Sequence, residues 1–140
     1  MKNPMKLHFV ILAVDTVGLS NINYVPGKTD LNDYCQFVGQ NPNDNIELFT
    51  TEVRPGDEIE WSGFSTSSTS NPKDTVAISD ITHQTGKNLV DNVNSGGQGK
   101  KKCKIKGNYT KNNWEKYNLF FQINGTGTKY EIDPIINVYQ

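Results

Sequence analysis

Two histidines, two cysteines and two methionines are the side chains here that could ligate a transition metal, and their spacing argues against a copper centre. A blue-copper site needs two imidazoles and a thiolate converging, with a weak axial thioether. Such sites bring the cysteine and the second histidine close together near the carboxyl end. Here Cys103 has no histidine after it, and Met1 and Met5 both stand near the start. His8 and His83 lack the paired His or Cys spacing that zinc demands, so both read as structural residues. Cys35 and Cys103 lie far apart in segments of different character. They read as two reduced, partly buried thiols, because small scaffolds that depend on bridges carry more cysteines.

Nucleophilic and acid–base chemistry find no better footing. No Gly-x-Ser-x-Gly elbow is present, and the serines crowd into Ser62 to Asp74, a polar tract that predicts a flexible excursion unable to hold a triad. Glu58 and Glu60 alternate along one strand and share a solvated face. Gly96-Gly97-Gln98-Gly99-Lys100 resembles a phosphate cradle, but a working cradle opens a helix, and a lysine-alternating strand follows here. The residues therefore predict no catalytic, metal-binding or cofactor-binding set. Two ligand chemistries stay open as an alternative. Asn41, Asn43, Asp44 and Asn45, or Asp30, Asn32 and Asp33, place oxygen donors together as calcium requires, although Asx residues favour turns for local reasons. Trp114, in the polar segment Lys111 to Glu115, is an exposed aromatic on which a sugar could stack.

The chain of 140 residues suits one domain over 1–140, and its hydrophobic fraction of 34% is gathered into short runs. With 14 basic and 15 acidic residues and a net charge of −1, no long-range field draws it to nucleic acid or to an anionic membrane. The apolar stretch Leu7 to Val14 is short for a secretory leader, and Asp15 stands where cleavage needs small residues. No other segment approaches the length of a membrane-spanning helix, and a cytoplasmic protein is expected. The sequons at Asn108 and Asn124 carry no meaning without secretion.

Period-two alternation between clusters of Gly, Asn, Pro and Ser predicts an all-β protein of about eight or nine strands, an antiparallel two-sheet sandwich of immunoglobulin-like or cupredoxin-like type. The run Phe9 to Val14 reads as a strand buried on both faces. Gly18 to Asp33 reads as a long surface loop, and Tyr34 to Val38 with Ile46 to Thr51 as a hairpin. Arg54-Pro55-Gly56-Asp57 suits a type II turn, after which Ile59 and Trp61 face inward. Val76 to Ile81 and Leu89 to Val93 continue the sheet. The lysines of Lys102 to Lys106 mark a protected edge strand. Tyr117, Leu119, Phe121 and Ile123 form one inward row, Asn124 to Gly127 turns the chain, and Tyr130 and Ile132 return antiparallel. Pro134 interrupts the ladder before the closing strand Ile135 to Tyr139.

Three stretches together resemble the PixA/AidA family of bacterial inclusion-body proteins. They are the first strand ending in Val14-Asp15-Thr16 with Leu19 soon after, then Val53-Arg54-Pro55-Gly56-Asp57-Glu58-Ile59-Glu60-Trp61 followed by Ser65, and then Tyr117 to Ile123 with Tyr130-Glu131-Ile132-Asp133-Pro134-Ile135-Ile136-Asn137-Val138. The resemblance implies a β-sandwich made in the cytoplasm, an accessory or storage-like protein that associates with itself or with a protein partner. It transfers no catalytic residue, because the shared motifs are turn and core positions.

Overall fold

The computed structural model describes residues 5–27 and 30–140. Ten strands carry the fold: β1 (Leu7–Val14), β2 (Cys35–Phe37), β3 (Thr50–Val53), β4 (Glu58–Ser65), β5 (Thr75–Gly86), β6 (Val90–Gly97), β7 (Lys100–Ile105), β8 (Trp114–Ile123), β9 (Tyr130–Ile132) and β10 (Ile135–Val138). A one-turn helix, α1 (Thr16–Ser20), follows β1. Asp15 caps it by accepting the Gly18 N–H at 2.8 Å. Two 3-10 turns, Asp30–Asp33 and Ile46–Leu48, stand where only loop and strand were expected.

Alternation places the core as predicted. Ile59 and Trp61 on β4, and Tyr117, Leu119 and Phe121 on β8, are all fully buried. Trp61 meets Tyr117 edge-on with centroids 5.6 Å apart, and its indole N–H donates to the Tyr117 hydroxyl at 3.0 Å. That bond satisfies two polar groups the core would otherwise strand. Arg54 to Asp57 makes the expected turn, with Gly56 at φ +87° and the Asp57 N–H donating to the Arg54 carbonyl at 3.1 Å. The β8–β9 turn and the break at Pro134 also occur where the residues predict them.

The pairing of strands differs from the expected sandwich. One continuous mixed sheet, ordered β2-β1-β4-β5-β8-β10-β3, curls into a half-barrel, with β7 beside β4, β6 beside β7 and β9 beside β8. Two of its pairings, β1 with β4 and β10 with β3, are parallel. Long connections permit this, since parallel neighbours need a crossover that a hairpin cannot supply. No hairpin joins the segments around Tyr34 and Ile46: β2 pairs with β1, whereas β3 crosses to β10. The lysine strand β7 is not an edge either, because β4 and β6 flank it.

Two further expectations fail for physical reasons. β1 is buried on one face only, and Phe9 on the other is 60% exposed. The tract after β4 is pinned by its hydroxyls: Ser65 Oγ lies 2.7 Å from Thr16 Oγ1 and accepts the Ser68 N–H at 3.1 Å, and Ser68 Oγ accepts the Asp74 N–H at 3.0 Å. Hydrogen bonding replaces the apolar contacts this tract lacks. The Trp61–Tyr117 bond gives a direct test of the core. Tyr117→Phe should fold to the same structure but lose about 1–3 kcal/mol in urea denaturation, the cost of leaving the indole N–H unsatisfied; an unchanged midpoint would refute that role.

Candidate functional site

Each histidine is bound to a buried carboxylate. Asp57, at the end of the Arg54–Asp57 turn, accepts the Lys6 N–H on Oδ1 at 3.0 Å and the Arg54 N–H on Oδ2 at 2.9 Å. His8 Nε2 lies 2.9 Å from the same Oδ2, and the Arg54 guanidinium lies 3.6 Å from Oδ1. Burial pushes the Asp57 carboxyl up, but hydrogen bonds from His8, Lys6 and Arg54 and the Arg54 charge outweigh it and hold it below the ordinary aspartate range. Glu115 on β8 is similarly occupied, with Oε2 2.8 Å from His83 Nδ1 and Oε1 accepting the Leu89 and Val90 N–H groups at 2.8 and 3.2 Å.

Both pairs fasten backbone segments to the sheet. Asp57 joins β1 to the turn before β4, and Glu115 joins β8 to the start of β6. His83 borders a cleft of about 210 Å³, yet among the described residues it hydrogen-bonds Glu115 and no hydroxyl or thiol. Cys35 and Cys103 are free and buried, and burial pushes both thiols up to about 12, which keeps them protonated at neutral pH.

The Asx loops are engaged locally. Asp30 accepts the Gly27 N–H, Asn32 the Ile46 N–H, Asn41 the Asn43 N–H, and Asn45 the Glu47 N–H. Trp114 is 46% exposed, as expected, beside a cleft of about 340 Å³ formed with Gly86, Lys87, Asn112 and Asn113.

Two surface features stand out. The outer face of the sheet carries a column of Leu7, Phe9 and Ile11 on β1, with the exposed Val38 beside Ile11. Glu58 and Glu60 stand next to that column on β4, and Lys104 and Lys102 stand opposite them on β7, with Lys102 Nζ 3.1 Å from Glu58. Farther along β4, the half-exposed Phe64 borders a cleft of about 650 Å³ at the start of β5. Reading the Phe9 run as wholly buried and the serine tract as flexible concealed both features. The alternation of Phe64 with Ser65 was the available signal.

No family model matches the chain, and no curated protein matches it in sequence. Its fold does match a crystal structure, over 99% of this chain and 98% of the other, with a TM-score of 0.62 and 11% identity. That structure is the inclusion body protein PixA of Burkholderia cenocepacia. The likeness to PixA implied by the sequence motifs is thus present in the fold. At this identity it extends to architecture and assigns no residue a role.

Asp57 supplies a pH test. Its carboxyl releases a proton more readily in the folded state than in the unfolded chain, so its stabilisation is complete above the ordinary aspartate range and fades as pH falls through the lowered value. Asp57→Asn should cost about 1–3 kcal/mol at neutral pH by leaving buried donors poorly matched. It should also flatten part of the stability loss on acidification, followed by urea melts across the acid range; an undiminished acid slope would exclude Asp57 as a source of it.

Proposed function

We propose that this protein is a non-enzymatic bacterial accessory protein of the inclusion-body kind, cytoplasmic, that associates with copies of itself or with a protein partner. The observation that carries the proposal is the apolar column on the outer face of β1. Phe9, Leu7 and Val38 stand in water there while Val10, Leu12 and Val14 on the opposite face of β1 are buried. A contiguous apolar patch on a sheet surface gains free energy when covered, and the burial of aromatic rings dominates such contacts.

A second copy suits the face because both charge signs lie beside the apolar column. Glu58 and Glu60 run next to Lys104 and Lys102, and with a net charge of −1 two copies experience little mutual repulsion. The fold likeness to PixA, described as an inclusion body protein, supports the same general kind. The saturated carboxylates of Asp57 and Glu115, each occupied by backbone N–H groups and a histidine, support a structural role for the histidines in preference to a catalytic one.

Light scattering coupled to size-exclusion chromatography over a concentration series tests association. The weight-average mass should rise with concentration, and Phe9→Lys should return the protein to monomer while matching the parent's melting temperature at dilutions where both are monomeric, since the ring contributes little to the interior. A monomer at every concentration, with no protein retained in pull-downs, would sink the proposal.

A further inference from the structure

We propose that the cleft between the end of β4 and the start of β5 binds a neutral saccharide, laying an apolar sugar face on Phe64 and taking its hydroxyls on Asp74, Asn124 and Gln98. This inference is independent of self-association, because it rests on a different part of the surface. The cleft, about 650 Å³, falls within the range of small-molecule sites.

Glycines let the strands that wall it approach one another closely. Gly63 sits where a Cβ would come within 2.6 Å of Val76 Cγ1, and Gly99, at φ +72°, lies where a Cβ would come within 3.4 Å of Ala77. Phe64 lines the same cleft, 45% exposed on the outer face of β4. A half-open aromatic ring offers a flat apolar surface to a ligand that has one apolar face and polar edges.

The polar rim is fixed before any ligand arrives. Asp74 accepts the Thr16 hydroxyl at 2.9 Å on Oδ2 and the Asn124 amide at 3.1 Å on Oδ1. Asn124 is itself held by the Thr75 N–H, which donates to its Oδ1 at 2.8 Å. A carboxylate can accept about four hydrogen bonds, so Asp74, with Asn124, Thr16 and Ser68 around it, retains acceptor capacity for a ligand hydroxyl. Hydrogen bonds from Asn124, Thr16 and Ser68 outweigh burial and hold Asp74 below the ordinary aspartate range, and at neutral pH it only accepts. Gln98 and Lys73 line the same cleft, and among the described residues their side chains make no hydrogen bond, which leaves donors at the rim.

Charge selects the ligand class. Lys73 and Asp74 stand side by side, so an anion drawn by the ammonium meets the carboxylate, whereas a neutral polyol can use both. The exposed Trp114 is a weaker candidate for the same chemistry: its cleft is about half as large, no carboxylate lines it, and its ring abuts Gly86.

The test is a titration of isotope-labelled protein with neutral mono- and disaccharides of glucose, galactose, mannose and N-acetylglucosamine, followed by amide chemical shifts. Inorganic phosphate and calcium serve as separate arms. At least one sugar should move the Gly63, Gly99 and Gly125 amides saturably. Phe64→Ala should weaken that response about tenfold, the loss of one stacking contact, while Phe64→Tyr retains it. Four outcomes overturn the proposal: silence with every sugar, shifts that survive Phe64→Ala, shifts gathered around Trp114, or saturation by phosphate or calcium in place of sugar.

Discussion

Strand β4 must serve three neighbours at once, and the rest of the architecture follows from how it does so. Along one side it pairs with β1 over its whole length. Along the other, Glu58 to Trp61 pair with β7, and Gly63 and Phe64 pair with β5. Passing from one partner to the next requires β5 to approach closely, and the missing side chain at Gly63 makes room for Val76. Because β4 pairs with β1, β7 and β5 together, the strands form one curled sheet around a common core. Trp61, the residue of β4 just before the transfer, reaches across that core to Tyr117.

Much of this was legible in the residues, within a definite limit. Alternation tells which face a side chain occupies, and it placed Ile59, Trp61, Tyr117, Leu119 and Phe121 inside; Arg-Pro-Gly-Asp and Pro134 marked their turn and break through fixed φ angles and a missing donor. Alternation does not say which strand lies alongside. The parallel partners of β1 and β10 and the interior position of β7 therefore escaped notice, and a lysine-rich strand that resembled a guarded edge proved to be flanked on both sides.

Composition misled in two places where polarity and packing part ways. The continuous apolar run of β1 resembles a strand buried on both faces, yet its odd-numbered positions face outward. The serine-rich tract resembles a loose loop, yet Thr16, Ser65, Ser68 and Asp74 knit it to α1 and to the sheet. Exposed apolar surface and ordered polar surface both depend on neighbours distant in sequence. The carboxylate partners of the two histidines were hidden for the same reason, since Asp57 and Glu115 lie far along the chain from His8 and His83.

The two parallel pairings set the order in which the molecule can assemble. β1 must wait for β4, and β3 must wait for β10, so neither pair can zip up from an adjoining turn. Loop closure over such spans costs entropy before any reward arrives, which favours slow folding. On a ribosome, β3 would emerge with its hydrogen-bonding groups unmatched and stay so until β10 had followed it. A nascent chain of this design presents ready strand templates to its neighbours for an extended period, and crowding of such chains would favour intermolecular pairing.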